Sequence, residues 1–250
     1  MTSTSLQKPD YGIDAPTAFR NLWIFGILCT LIGFFGSREA QFGENFVAIA
    51  KIFRLPGLIL LAEGILFLLY VKVGKMRHRD MMLSLVPWRG DEQVLDVGCG
   101  RGLLLAGAAK RLAALKGTGH ATGIDLWSNV DMGRNSPEAT TRNLEIEGIA
   151  GRCTLVSLAA QDMPFPDGRF DVILSNLCLH NIYDRPTRTA ALKQIARVLK
   201  PGGTALISDF KHTRQYAKAF AEAGLVVTRR RGNIIMTFPP LTVVIAHKPR

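Results

Sequence analysis

Two hydrophobic rhythms divide the chain. Between Arg20 and Arg38 no charge interrupts a run that includes Leu22–Phe35, and between Arg54 and Lys72 a second run, Leu55–Val71, is apolar except for Glu63. Each is roughly 17 residues, or about 26 Å of helix, slightly under a hydrocarbon core of about 30 Å. Arg20, Arg38, Arg54 and Lys72 flank the runs and are long enough to snorkel to the interface. Both runs are apolar nearly all round, which speaks against helices lying flat on a membrane. The first lacks the basic start and small-residue exit of a signal peptide. Helices buried in a soluble cap compete with a transmembrane hairpin, and the hairpin is preferred.

From about residue 76 short β-rich runs alternate with helical spacing. A lead helix falls within Met76–Gly90. Strands are predicted at Gln93–Val97, His120–Leu126, Cys153–Ala159, Val172–Ser175 and Thr204–Asp209. Helices are predicted at Leu103–Leu115, at Ser136–Gly148 with Pro137 in the first turn, after Asp184 as cap, and at Gln215–Gly224. Leu225–Arg231 and Leu241–His247 form a closing β pair. Alternation of this kind predicts an α/β domain on a largely parallel sheet. The chain divides into a loose polar lead-in (1–18), a two-helix hairpin (19–75) and the α/β domain (76–250).

Charge adds a constraint. The net charge is +11, and a basic chain meets nucleic acid, anionic lipid or acidic substrates. Arg229-Arg230-Arg231 lacks the aromatic interleaving that stacks bases, so a solvated or headgroup-facing role is expected and nucleic acid is not. Cys29, Cys99, Cys153 and Cys178 are scattered, and neither they nor the five histidines have metal-ligand spacing. Free thiols and no metal are expected. Glu63 in mid-run is costly unless protonated or paired, so it reads as a seam residue or a headgroup contact.

The chemistry concentrates at Val94–Gly102, Val-Leu-Asp-Val-Gly-Cys-Gly-Arg-Gly. A strand ends in Asp96 and a glycine turn opens a helix. The glycines let the backbone turn tightly and approach a ligand. A dinucleotide fingerprint would need glycine at 103 or 105, and both are leucine. The pattern Asp-x-Gly-x-Gly-x-Gly resembles the first motif of the class I S-adenosylmethionine-dependent methyltransferases. Further features fall in order over about residues 76–250, notably Asp125 at a second strand tip, Gln161-Asp162 after the third strand and the Leu-Lys-Pro-Gly-Gly turn. The resemblance implies a Rossmann-like seven-stranded sheet with a terminal antiparallel hairpin, preceded here by the two hydrophobic helices. It also implies S-adenosylmethionine as cofactor. Asp96 would serve the methionine amino end, with Gly98, Cys99, Gly100 and Gly102 forming the loop. Asp125 would accept from the ribose hydroxyls, Leu126 cover an adenine face, and Gln161 and Asp162 read the adenine edge.

Asn176 closes the fourth strand, where ligands bind in open α/β sheets, and is expected among the cofactor-binding residues. The Asn176-Leu-Cys-Leu-His-Asn run is similar to the quinone and small-molecule branch, and it lacks the tetrapeptide of base-methylating relatives. His180 is a candidate general base, since imidazole titrates near neutrality; a packing role is its alternative. The expectation is a membrane-anchored methyltransferase acting on a small lipophilic, quinone- or lipid-like acceptor. Because S-adenosylmethionine is made in the cytosol, the domain should face the cytoplasm, in accord with Lys72, Lys75, Arg77 and Arg79 after the second helix. A non-catalytic cofactor-binding module with the same fold is the rival.

Overall fold

The computed structural model describes residues 7–36, 44–128, 133–233 and 237–250. Two helices, α1 (Pro16–Phe35) and α3 (Arg54–Leu69), run antiparallel, with a shorter helix α2 (Glu44–Ile52) between them. Their seam is built from glycine. A Cβ on Gly26 would meet Leu61, one on Gly57 would lie 2.6 Å from the backbone of Thr30, and one on Gly64 would press on the Trp23 ring. Gly33 lies against Arg54, whose Nε donates to the Gly33 carbonyl at 2.8 Å. Small residues let helix backbones approach closely where no hydrophobic effect drives them together. Leucine, isoleucine and phenylalanine side chains on the other faces are left exposed, among them Phe25, Leu28, Leu58 and Ile65. Glu63 is half-buried and makes no hydrogen bond or ion pair among the described residues.

No loop follows α3. The helix passes through a π turn at Tyr70–Gly74 directly into α4 (Lys75–Leu83), so the division expected at 75/76 falls inside continuous helix. Helix α4 docks on the domain through buried Met82 and Leu83, and His78 Nε2 lies 2.7 Å from Ser208 Oγ.

The domain is a seven-stranded sheet in the order β3-β2-β1-β4-β5-β7-β6. Its strands are β1 (Gln93–Val97), β2 (His120–Asp125), β3 (Cys153–Ser157), β4 (Phe170–Asn176), β5 (Leu199–Asp209), β6 (Val226–Arg231) and β7 (Thr242–His247). The first five are parallel, and β7 runs antiparallel between β5 and β6. Helices α5 (Leu103–Ala114), α6 (Pro137–Ile146), α7 (Arg185–Val198) and α8 (Thr213–Glu222) cover the faces. Alternation along the strands feeds two cores. Val94, Val172 and Leu174 pack with Leu83, Leu105 and Leu112, while Leu95, Val97 and Ile173 pack with Ile195, Tyr216 and Phe220. Ser136 and Asp184 cap α6 and α7 as their sequence positions predict. The edge strand β6 exposes Arg229, Arg230 and Arg231, charges that discourage pairing with another sheet.

Residues 7–15, expected as a loose lead-in, are tied down. The Asp10 amide donates to Asn143 Oδ1 at 2.9 Å, its carboxylate pairs with Arg101 at 3.0 Å, and the Tyr11 hydroxyl donates to Glu147 at 2.8 Å. Lys75 Nζ donates to the carbonyls of Tyr11 and Gly12. Scattered polar residues without periodicity carry no sequence signal for such a strap.

Candidate active site

Reversal of strand order between β1 and β4 opens a crevice beyond the strand tips. It holds a cavity of about 1060 Å³ whose walls include Gly98, Gly100, Asp125, Leu126, Gln161, Asn176 and His180. Asp96, Cys99, Gly102 and Asp162 fall outside that lining. Cys99 turns its sulfur toward β2, where it occupies the space a Cβ on Gly123 would need; burial holds its thiol well above the ordinary range. Gly102 is the left-handed cap of α5. Asp162 is exposed beside the lining residue Gln161.

The glycine turn is shaped by contact. Gly98 has φ +69°, and a Cβ there would lie 2.1 Å from Cys178 Sγ, so the loop after β1 touches the loop after β4. On that second loop Leu177 takes φ +53°, a strained setting for a branched side chain. The amides of Gly98 and Cys99 donate to the Ile124 carbonyl, that of Gly100 to Asp125 Oδ2 at 2.8 Å, and that of Gly102 to the Cys99 carbonyl. These four N–H groups are therefore committed within the protein and cannot cradle a phosphate, in keeping with the departure from the dinucleotide pattern.

Asp125 also accepts from the Trp127 amide at 2.6 Å and from Asn135 Nδ2 at 3.2 Å. A carboxylate has about four acceptor positions, so capacity for a hydroxyl remains. Asp96 is buried, receives the Leu105 amide, and has no partner for Oδ2. Burial, reinforced by the neighbouring Asp125, pushes its carboxyl up to about 8. Asn135 Oδ1 and Asn176 Oδ1 are likewise shut from solvent without a partner. Orphaned acceptors at a crevice call for a donor-bearing ligand. A cofactor with ribose hydroxyls, an adenine amine and an ammonium group supplies such donors, so these residues fit S-adenosylmethionine.

His180 sits on the wall beside a residue that sequence reading passed over. Asp209, buried at the end of β5, accepts from the His180 amide at 3.1 Å and from the Tyr216 hydroxyl at 3.1 Å. Its Oδ1 lies 2.9 Å from His180 Nδ1, close enough for an ion pair though off the line of a hydrogen bond. The imidazole packs edge-on against Phe210. A carboxylate behind the ring is the arrangement that orients a histidine base. Asp209 appears in sequence only as the last residue of a strand.

The N-terminal segment also reaches the site. The Tyr70 hydroxyl stands within the influence of the Asp14 carboxyl and the Asn176 side chain. Burial raises the Asp14 carboxyl, and its Oδ2 has no partner. Asp14, Leu22, Phe25, Leu60, Phe67 and Tyr70 line the same cavity as Gly98 and Asp125. Sequence spacing offered no sign of this, since it depends on where the π turn aims Tyr70.

Residues 95–207 match the family model described as a methyltransferase domain. The ubiquinone/menaquinone biosynthesis C-methyltransferase UbiE of Vibrio campbellii is 36% identical over 123 residues, 49% of this chain and 42% of that protein. The demethylmenaquinone methyltransferase of Tropheryma whipplei is 36% identical over 129 residues, 52% of this chain and 46% of that protein. The chain thus spans less than half the length of either relative. In fold it is similar to a SAM-dependent methyltransferase from Aquifex aeolicus, with a TM-score of 0.51 and 19% identity over 67% of this chain and 87% of that one. Together the matched segment and the sheet define a class I S-adenosylmethionine-dependent methyltransferase domain. The described residues also hold two helices long and apolar enough to cross a membrane, Pro16–Phe35 and Phe46–Leu83.

Proposed function

We propose that this chain is a membrane-anchored methyltransferase acting on a small lipophilic acceptor of quinone or lipid type. One observation carries the reading: a single cavity runs from the cofactor residues to side chains of α1 and α3. The relatives named for quinone methylation support the acceptor class. When bound, S-adenosylmethionine supplies a methyl group on a sulfonium, already an excellent leaving group, so alignment and exclusion of water can provide most of the acceleration. Asp125 would hold the ribose, Leu126 would cover the adenine, and Gln161 with Asp162 would meet its edge. Asp96 would answer the ammonium, and Asn176 would face the acceptor. His180, oriented by Asp209, would take the acceptor's proton at Nε2.

The test is methyl transfer from labelled cofactor to lipid extracts or to demethylmenaquinone added to membranes, alongside calorimetry of cofactor binding. Label in the organic phase is expected. His180→Ala should cut turnover by about tenfold or more while leaving cofactor affinity in place. Label confined to water-soluble products would sink the lipophilic acceptor. Binding without any transfer would favour a non-catalytic module, and absence of binding would exclude both.

A further inference from the structure

The cavity has two ends of opposite character and a polar waist between them. One end is the strand-tip surface of Gly98, Asp125 and Gln161. The other is walled by Leu22, Phe25, Leu60 and Phe67, with Phe238 of the α/β domain packed on Phe67 at 6.2 Å between ring centres. At the waist stands the Asp14–Tyr70–Asn176 cluster, with an unpartnered oxygen on Asp14 and another on Asn176.

Depth along the helices gives the apolar end its meaning. Phe25 lies nine residues into α1 from Pro16, and Leu60 lies ten residues before Tyr70. At 1.5 Å per residue both sit about 15 Å along the hairpin from the strand-tip end, roughly half of a hydrocarbon core. Phe25 is 54% exposed although it lines the cavity, so the cavity is not closed over at this ring. A water-soluble acceptor would gain nothing from walls of this kind at this depth. An apolar tail would be desolvated by them along its length.

Resting on the membrane-anchored reading above, we propose that α1 from Leu22 to Phe25 and α3 from Leu60 to Phe67 form an acceptor-tail site. The lipophilic acceptor slides into it sideways from the bilayer. Its tail lies against Leu22, Phe25 and Leu60, and its polar head, bearing an O–H or N–H donor, stops at Asp14, Tyr70 and Asn176. The hairpin is then half of the acceptor site as well as an anchor.

The experiment uses the full chain in phospholipid nanodiscs and, as probe, an isoprenoid-tailed naphthoquinone with a photoreactive diazirine at the end of the tail, this and every competitor quinone being kept in the reduced hydroquinone form so that the head carries O–H donors. Irradiation should give adducts mapping to residues 22–25 and 60–67. Excess unmodified tailed naphthoquinone should reduce them at least fivefold, whereas an equal excess of the tail-less naphthoquinone or of phospholipid should not. Leu60→Trp, which fills the channel, should lower adduct yield several-fold, with unchanged cofactor affinity certifying the fold; Phe25→Trp serves as a second variant. Adducts spread over the lipid-facing sides of α1 and α3 without competition would overturn the tail site. Saturable adducts without methyl transfer to any lipid would uphold the tail site and remove the enzymatic reading. Lipid methylation with unsaturable adducts would do the reverse.

Discussion

Asp96, the penultimate residue of β1, has 1% of its surface exposed and one carboxylate oxygen unpartnered. Its folded carboxyl, pushed up to about 8 from an ordinary 3.8, keeps a proton that the unfolded chain releases. Linkage then has a definite sign. The contribution to stability is complete below about pH 4 and is lost as pH rises through about 8. Asp96→Asn is neutral throughout and removes that slope. Scanning calorimetry of the cofactor-free protein should find the variant close to the parent near pH 4.5 and several degrees more stable at pH 8. Cofactor binding by the variant should weaken, because the ammonium loses a carboxylate and keeps only a neutral amide oxygen as acceptor. Equal melting shifts at both pH values would mean that no proton is retained. Asp96 and Asp125 were legible in sequence because a strand tip next to a glycine turn constrains what can stand there. Asp209 was not, because its work is done on His180, 29 residues away, through a packing that strand propensity does not encode.

At the scale of elements, the strands and the capped helices followed from period and punctuation, Ser136 and Asp184 among them. The hairpin's length was legible too, but its seam was hidden. Glycines 26, 33, 57 and 64 fall seven apart on each helix, and their use emerges only when α1 and α3 are set against each other. Gly57 is the tightest test, with a Cβ due 2.6 Å from the amide and hydroxyl of Thr30. Gly57→Leu should separate the helices and cost about 2 kcal/mol or more by overpacking. A clear fall in melting temperature in detergent would register it. Leu58→Ala, at a position 47% exposed, should leave that temperature nearly unchanged. Equal effects of the two substitutions would show that the glycine seam is not the contact holding the pair.

For the whole molecule, the proposed hairpin places both the N-terminus and the α/β domain on one side, and the net charge of +11 suits the anionic cytoplasmic leaflet. The chain should stay with membranes through an alkaline carbonate wash. Protease should reach residues 76–250 in inside-out vesicles and spare them in right-side-out ones. Release by carbonate would instead identify the two helices as a roof over a soluble domain. The strap of residues 7–15 and the Asp14–Tyr70 contact belong to this scale. They join segments far apart in sequence, Asp10 to Asn143 for one, and a periodicity read along the chain has no access to such pairs.

The π turn at Tyr70–Gly74 carries a consequence in angular terms. It winds one more residue into its turn than an α-helix would, and one residue is about 100° of helical rotation. Because α3 continues through it into α4 without a loop, the heading of the entire sheet relative to the hairpin is set by that surplus. Deleting Val71 would remove the surplus residue and keep the heading, whereas winding the same residues as regular α-helix would swing the strand tips about 100° around the helix axis. Tyr70 would lose Asn176, and the two halves of the cavity would no longer face each other. A single residue of helical phase thus aligns the catalytic crevice with the gap between the hairpin helices.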